Sequence, residues 1–527
     1  MEKFIEGPLW LPFQEPAILR HGLEVDFSAA PNFKKESRDE CLRLVKLWDS
    51  KGLVRLFEEP AEPGLFCRVF NAFKSPECDR QIGDRRLVNM SEMCYDGPSR
   101  FLPQGPSLAQ VRVDRFCQRL VASVTDRRDF YHQAAVTASR AQTNLLPFSF
   151  EPEELVGLEA FEREKLEAVK QSPKGREVIG DRLGLIPKKL APKEWTPKPL
   201  FAGFASLFQG DHLGVEFALC AHQQLLEDAC LLRDGQQVKG SCPFPKGPVY
   251  SGLVIDDFFL ISREGAKRPK HDTSAFYALA AARRTYEAEG LIGSTEKDIE
   301  AASVFKAAGA EFVSDEHAVQ SGCVTVGAPR AKRLALAALS LRAARLPGLS
   351  PQLASRLAGN WSSVLLYRRC LSSVVDGLFA LGVSESCAGT SVVPLPRRIA
   401  RELVLLAIMS PLTCSNVAVS YVGTLFASDA SLSKGAFVAA EVGADRVEEL
   451  WLDTEKKGSY ALLDCGFKEM LKHVGEYEGE EQVPAPLIRP KASPLLYYDF
   501  VEICGGVGAV RSEERRVGKE CRSRWSP

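Results

Sequence analysis

The spacing of hydrophobic positions changes along the chain and predicts where helices and strands lie. A helical spacing covers residues 40–57, whereas residues 61–150 consist of strand-like runs separated by glycine and proline. Residues 151–200 form a charged segment, which begins with a helical pattern at 153–170 and ends in a Pro/Lys-rich loop. Helix and strand patterns then alternate as far as residue 325. The pattern therefore predicts a chain that mixes both kinds of element.

The following part of the chain is predicted to be mainly helical. Residues 329–402 have a helical spacing and carry eleven Lys/Arg against three Asp/Glu. Residues 403–428 contain no charged residue, but their centre at 410–416 is too polar for the interior of a membrane. We interpret this stretch as a short buried helix, a break at Pro411 and a strand, and not as a membrane span. An alternating strand pattern resumes over residues 420–465.

Length and composition are those of an ordinary globular protein. The chain has 527 residues, of which 45% are hydrophobic and 26% charged, and this length predicts about three or four domains. Its 15 cysteines include no Cys-x-x-Cys pair and no zinc-finger spacing, so reduced structural thiols are expected. The N-terminus lacks the apolar core of a secretory signal. We therefore expect a soluble intracellular protein, in the nucleus or the cytoplasm.

An acidic pair interrupts an apolar strand pattern at residues 253–261. Asp256 and Asp257 stand between two hydrophobic runs, and a carboxylate inside a buried strand is costly unless it lies at a turn or binds a cation. A β-hairpin with the pair at its tip meets both conditions. The alternative is a plain acidic turn on the surface.

A second acidic position favours the cation site. Asp126 follows a short run of β-branched residues that is typical of a strand. Phosphoryl transfer with two Mg²⁺ ions needs carboxylates that converge from separate strands, with the metals about 3.5–4 Å apart. One carboxylate from a strand and a pair from a hairpin meet this requirement. We therefore predict that Asp126, Asp256 and Asp257 converge in space.

Both acidic segments resemble the catalytic motifs of reverse transcriptases. Residues 126–133 are similar to the motif in which an aromatic and a His-Gln pair follow the first Asp. Residues 254–257 are similar to the aromatic-x-Asp-Asp box, with Val254 in the place of the aromatic. The resemblance implies that Asp126, Asp256 and Asp257 bind two Mg²⁺ ions.

The same resemblance implies a role for Tyr131, five residues after Asp126. It places the ring beneath the sugar of the incoming nucleotide, where it would exclude a 2′-hydroxyl. The alternative is that Tyr131 belongs to the hydrophobic core.

Three more segments resemble parts of reverse transcriptases and occur in the same order. Residues 78–89 are similar to the fingers motif Asp-x-Arg-x-hydrophobic-Asn, which is matched here by Asp84, Arg86, Val88 and Asn89. Lys74 and Arg80 are the candidate triphosphate contacts, because both side chains suit phosphate. The alternative for this segment is a solvated charged turn.

Gln209 and Gly210 match the Gln-Gly motif that begins a palm helix, where the backbone would approach the nucleotide and the template base. Lys297 matches a lysine that lies near the pyrophosphate in the family, although an isolated lysine is more often simply exposed.

The resemblance implies an α+β right-hand polymerase. Residues 61–325 would form fingers and palm with an insert at 151–200, preceded by an N-terminal extension at 1–60. Residues 326–412 would form a helical thumb and connection, and their basic excess suits a phosphate backbone even though the whole chain has a net charge of −1. The implied partners are an RNA or DNA template-primer and deoxynucleoside triphosphates. The sequence does not indicate an oligomeric state.

The remaining segments resemble fragments of other domains. Residues 413–475 are similar to the start of an RNase H-like α/β domain, whose first metal ligand would be Asp429. No later acid can be assigned, so we expect weak or absent RNase H activity. The alternative is that Asp429 simply caps a turn. After a linker at 476–497, residues 498–510 resemble the first motif of cytosine-5 DNA methyltransferases.

The last residues, 511–527, resemble a translated sequencing adapter. We expect them to pack against nothing and the natural chain to continue beyond Val510. The function predicted from all segments is that of an RNA-directed DNA polymerase of a retroelement. The alternatives are a catalytically decayed remnant that only binds nucleic acid, and a truncated fusion to a DNA cytosine methyltransferase.

Overall fold

The computed structural model describes residues 2–22, 37–171, 198–382, 391–430 and 435–453. Its chain forms two compact units, each assembled from separate stretches. Unit 1 consists of the described residues up to Arg100, together with Arg127–Asp228 and Tyr286–Gly293. Unit 2 consists of Phe101–Asp126, Ala229–Thr285 and the described residues from Ser294 onward.

Strands and helices alternate irregularly along the described residues. The strands, in chain order, are β1 (Val54–Phe57), β2 (Arg68–Ser75), β3 (Cys78–Asp84), β4 (Gln118–Asp126), β5 (Leu145–Phe150), β6 (Leu200–Phe204), β7 (Val249–Val254), β8 (Asp257–Gly265), β9 (Ile299–Ala302), β10 (Val304–Ala307), β11 (Ala310–Val313), β12 (Thr325–Gly327), β13 (Gly348–Leu349), β14 (Val393–Pro394), β15 (Cys414–Asn416), β16 (Thr424–Ala430) and β17 (Gly435–Glu441).

The α-helices are Trp10–Gln14, Arg38–Asp49, Arg86–Ser91, Phe130–Gln133, Ala138–Gln142, Pro152–Leu155, Glu159–Gln171, Gly214–Asp228, Ser274–Ala288, Glu316–Ser321, Arg330–Ala343, Pro351–Leu365, Asp376–Gly382, Arg397–Met409 and Ala444–Leu452. Short 3₁₀ turns connect several of them. None of the helices in the described part of the chain has the length and apolarity that crossing a membrane requires.

Unit 1 contains a three-stranded antiparallel sheet and a separate hairpin. The order in the sheet is β1-β6-β5, and β2 pairs with β3. Phe204 at the end of β6 lies between Trp48 and Phe208, with ring centroids 4.8 Å and 4.6 Å away. These three rings are buried, and burial of large aromatic surface is what holds this core together.

Unit 2 is built around a four-stranded antiparallel sheet with the order β7-β8-β4-β9. β8 pairs with β4 along nearly its whole length, and its residues Phe258–Ile261 are buried. The register places Asp126 opposite Asp257. In β7, Gly252 leaves room for the ring of Phe259, which a Cβ at that position would overlap. Burial of both central strands therefore fixes the register at the carboxyl end of β4.

A second sheet and a group of helices complete the described part of unit 2. The sheet has the antiparallel order β10-β11-β12-β15, while β13 pairs with β14 and β16 with β17. Trp361, on the helix Pro351–Leu365, is fully buried and donates its indole N–H to Ser340 Oγ at 2.9 Å. This contact joins two helices of the basic region, whose described residues are mainly helical as predicted, apart from the short strands β13 and β14.

Three secondary-structure predictions need correction. The helical pattern at 40–57 ends as a helix at Asp49, because Gly52 adopts a φ of 68° and the chain then enters β1. The pattern at 153–170 is interrupted at Gly157, whose φ is 89°. Within the strand-like pattern at 420–465, residues 444–452 form a helix. The helix, break and strand predicted for 403–428 are present.

Candidate active site and metal centre

Three carboxylates meet at one end of the central sheet of unit 2. Asp126 is the last residue of β4, and Asp257 is the first residue of β8 and pairs with it across the ladder. Asp256 lies in the turn that joins β7 to β8. One carboxylate oxygen from each residue lies within 4.8 Å of the others. The predicted hairpin and the predicted convergence are therefore both confirmed.

The hairpin turn that carries Asp256 is strained. Val254 pairs with Asp257, so Ile255 and Asp256 form a two-residue loop. Such loops require a positive φ at their first central position, and Ile255 has a φ of 57°. A β-branched residue in this region costs about 1–2 kcal/mol. The backbone pairing of β7 with β8 therefore holds this turn in a conformation that Ile255 does not favour.

The position of Asp257 in the cluster disfavours its ionised form. Burial, followed by the charges of Asp256 and Asp126, raises the pKa of Asp257 to about 6. Lys297 partly opposes this repulsion, because its Nζ donates to Asp126 Oδ2 at 3.1 Å. The hydrogen bond to Asp126 also raises the pKa of Lys297, so that its ammonium stays charged. One lysine beside three carboxylates leaves this cluster with an excess of negative charge.

The chemistry of the cluster fits a divalent cation. Its donors are all carboxylate oxygens, which suit Mg²⁺, Ca²⁺ or Mn²⁺ more than softer metals. Oxygen atoms around one such ion lie about 2.0–2.6 Å from it, so ligands separated by up to 4.8 Å can share it. A bound cation would also remove the repulsion that raises the pKa of Asp257.

The predicted triphosphate-binding residues lie on the β2–β3 hairpin of unit 1. Lys74 and Arg80 are exposed, and Lys74 Nζ lies 3.6 Å from Asp129 Oδ1. Arg86 instead donates twice to Asp84, through Nε and Nη2, at 2.8 Å in both cases. Asp84 and Arg86 therefore pair closely with each other, whereas Arg80 is exposed and Lys74 forms a longer, exposed ion pair with Asp129.

Gln209 and Gly210 form a turn that is hydrogen-bonded to the segment 78–89. The carbonyl of Gln209 accepts the N–H of Gly83 at 2.7 Å, and the carbonyl of Gly210 accepts from Asn89 Nδ2 at 2.8 Å. Gly210 has a φ of 121°, and a Cβ there would overlap the carbonyl oxygen of Gly83. The position needs glycine both for its backbone angle and for its space.

Tyr131 lies in the short helix Phe130–Gln133 and is partly exposed. Its neighbour Phe130 is the buried member of the pair, at 5% exposure. A Cβ on Gly214 would be 3.4 Å from Tyr131 Cε1, so the ring lies against the start of the helix Gly214–Asp228. Tyr131 is therefore neither fully buried nor fully exposed, and both its role in sugar selection and the alternative of a core residue stay predictions.

A buried charge cluster in unit 1 escaped the sequence interpretation. Arg85 and Arg140 both approach Asp211, which directly follows Gly210. Burial alone would raise the pKa of Asp211, but Arg140 and Arg85 hold it well below its usual range. The only signal in the sequence was an acid immediately after the Gln-Gly pair, and its partners lie about 70 and 125 residues away.

The segments near the C-terminus are described only in part. Asp429 lies on β16, with Ala436 opposite it on β17. The described pair forms a two-stranded antiparallel sheet, in which Phe426 stacks on Phe437 and both rings are exposed. An RNase H-like domain around Asp429 stays a prediction. The linker, the methyltransferase-like segment 498–510 and the segment 511–527 lie outside the described residues.

Comparisons with known proteins give little further information. No protein-family model matches the sequence. No curated protein matches it either. A solved structure of a foamy viral protease-reverse transcriptase in complex with double-stranded DNA is similar at a TM-score of 0.45 and 10% sequence identity. The match covers 80% of this chain and 58% of that one, and a TM-score this low does not establish a shared fold.

The strain at Ile255 can be measured with two substitutions. Both remove the same side-chain atoms beyond Cβ, but only glycine adopts the positive φ without a steric penalty. We therefore expect Ile255→Gly to be more stable than Ile255→Ala by about 1 kcal/mol. At an unstrained strand position the order is the reverse. Urea unfolding of the two variants checks this, and an alanine variant at least as stable as the glycine variant would contradict the strained turn.

Proposed function

We propose that the protein is a nucleotidyltransferase of the reverse-transcriptase type, which extends a primer 3′-hydroxyl with deoxynucleotides. The observation that carries this proposal is the meeting of Asp126, Asp256 and Asp257 at the end of β4 and at the β7–β8 turn. Acidic surface turns are common, but three carboxylates from two separate strands with Lys297 beside them are not explained by a surface turn.

The three carboxylates would hold two Mg²⁺ ions. When bound, such ions neutralise the triphosphate and favour attack by the primer hydroxyl. The protein contributes positioning, because β4 and β8 fix Asp126 and Asp257 by their mutual backbone pairing. Asp256 is held on the strained turn beside them. Catalysis in this proposal depends on geometry and charge more than on covalent chemistry.

Lys297 would serve the leaving group. Its ammonium is mostly exposed and bonded to Asp126, so it can move toward another anion without crossing the core. A protonated lysine near the pyrophosphate would neutralise the negative charge that develops there. In this proposal Asp126 holds the lysine in place until the substrate arrives.

The proposed substrates are a template-primer and deoxynucleoside triphosphates. The exposed cations Lys74 and Arg80 on the β2–β3 hairpin have the chemistry to contact a triphosphate. The helices of unit 2 and the turns that follow them present further exposed cations, which suit a nucleic-acid backbone: Arg330, Lys332, Arg342, Arg345, Arg356, Arg368, Arg397 and Arg401.

Substitution of the turn aspartate tests the proposed reaction. We expect Asp256→Asn to reduce primer extension about a thousandfold or more, because the amide keeps the shape but loses the charge that binds the cation. The assay uses defined RNA and DNA templates with Mg²⁺. Asp234→Asn is the matched control, since Asp234 is an exposed residue of unit 2 outside the cluster. Equal activity of Asp256→Asn and wild type would refute the proposal.

Substitution of Tyr131 tests sugar selection. We expect Tyr131→Val to raise ribonucleotide incorporation relative to deoxynucleotide incorporation by about tenfold, since 1.4 kcal/mol of lost discrimination is tenfold. The measurement compares kcat/KM for the two nucleotides.

Tyr277→Val removes an exposed tyrosine of unit 2 and should leave the ratio unchanged. If Tyr131→Val lowers thermal stability and the selectivity ratio stays that of the wild type, the proposed role of Tyr131 is wrong.

A further inference from the structure

Four charged residues are buried together next to the Gln209–Gly210 turn of unit 1. The side chains of Arg85, Arg140 and Glu92 are fully buried, and that of Asp211 is 1% exposed. Arg140 Nη2 donates to Asp211 Oδ2 at 2.6 Å, and Arg85 Nη1 lies 2.7 Å from the same oxygen. Arg85 also lies 3.4 Å from Glu92. Two positive and two negative charges thus balance within the cluster.

The Asp211 side chain is fixed from a second side by the backbone. Its Oδ1 accepts the N–H of Leu213 at 3.0 Å, and its own N–H donates to the carbonyl of Phe208 at 3.0 Å. Phe208 and Leu213 are buried. Asp211 Oδ2 therefore binds the two arginines, whereas Asp211 Oδ1 accepts a backbone N–H and so closes the loop that contains the turn.

The cluster connects the same two segments that the turn connects. Arg85 follows Gly83 by two residues, and the N–H of Gly83 donates to the carbonyl of Gln209. On the other side, Asp211 follows Gly210 directly. The pair of Arg85 and Asp211 thus ties the fingers motif to the turn through side chains, in parallel with the backbone bond.

The turn holds a polar atom that has no partner among the described residues. Gln209 Oε1 is buried and accepts no hydrogen bond there. An unsatisfied buried acceptor costs free energy, so the protein must hold it in place with other contacts. An acceptor kept in this way is available to a ligand donor.

We propose that Asp211 is a positioning residue, which fixes the Gln209–Gly210 turn through its buried ion pairs with Arg85 and Arg140 so that the turn can contact the incoming nucleotide. This inference rests on the proposed function, because the nucleotide contact of the turn comes from the likeness to reverse transcriptases. The link between Asp211 and the turn lies within unit 1, so it can be tested by a structural measurement that does not depend on enzyme activity.

Two variants separate positioning from charge balance. Asp211→Asn leaves one buried arginine charge uncompensated and is expected to lower Tm strongly. The double variant Asp211→Asn/Arg140→Gln keeps the ion pair of Arg85 with Glu92 and has no excess charge. We expect the double variant to recover most of the lost Tm, although the ion pairs of residue 211 with Arg85 and Arg140 are still absent.

Hydrogen exchange reports on the turn directly. In the double variant we expect peptides that contain Gly83 and residues 207–214 to exchange about tenfold faster than in wild type, because the bond from Gly83 to Gln209 opens more often. Primer extension should show KM for the deoxynucleotide raised about tenfold with kcat changed little, as expected for a loss of nucleotide positioning.

The matched control is Asp49→Asn. Asp49 is also buried in unit 1, but its carboxylate accepts the N–H groups of Glu159 and Ala160 at the start of a helix. This variant should lose stability without a change in exchange around Gly83 or in KM.

Three outcomes are decisive for the proposal. Unchanged hydrogen exchange around Gly83 in the double variant would refute the link between Asp211 and the turn. Faster exchange there with an unchanged KM for the deoxynucleotide would refute the positioning role. Absence of primer extension in wild type would refute the proposed function, while faster exchange in the double variant would still support the tie.

Discussion

The crowding of three partly buried carboxylates at one end of a sheet is the constraint on which the candidate site of unit 2 depends. Asp126 and Asp257 face each other across an antiparallel ladder, where like charges are normally unfavourable. The buried faces of β4 and β8 supply the free energy that keeps them together. Ile255 adds local strain at the same place. A cation bound by these carboxylates would offset the repulsion, and for this reason the proposed function places Mg²⁺ at this end of the sheet.

In unit 1, by contrast, the buried charges are balanced by partners of opposite sign. Around Asp211 the arginine and carboxylate charges are equal in number, so that cluster needs no ion and can serve as a rigid support. Around Asp257, three carboxylates lie beside one lysine of the described residues, Lys297. The contrast separates the two roles physically, because a balanced cluster fixes structure whereas an unbalanced one attracts a ligand of opposite charge.

Local sequence patterns predicted the candidate site better than they predicted the long-range contacts around it. The Asp256-Asp257 hairpin could be predicted because two apolar runs flank an acidic pair, and the partner Asp126 could be predicted because it ends a strand pattern. Gly52 was not recognised as a helix terminator, so the strand β1 was assigned to a helix. That error arose because amphipathic residues continue in both elements without a change of composition.

The cluster around Asp211 could not be predicted in the same way. Its arginines come from distant parts of the chain, and no spacing rule brings Arg85 and Arg140 to one carboxylate. Charged residues also look alike in sequence whether they are exposed or buried. Asp84 and Arg86, by contrast, lie only two residues apart. The sequence places them close together, but only the structure shows that Arg86 donates to Asp84 and not to a ligand.

Thermal unfolding with and without Mn²⁺ tests most directly whether Asp126, Asp256 and Asp257 form a cation site in which the metal relieves the repulsion between them. Asp257→Asn removes one charge from the crowded cluster. At pH 8, where the Asp257 carboxylate is ionised against its raised pKa, we expect this variant to have a higher Tm than metal-free wild type. Mn²⁺ should raise the Tm of wild type and leave that of the variant nearly unchanged. A variant that is less stable without metal and gains as much from Mn²⁺ as wild type does would contradict the account.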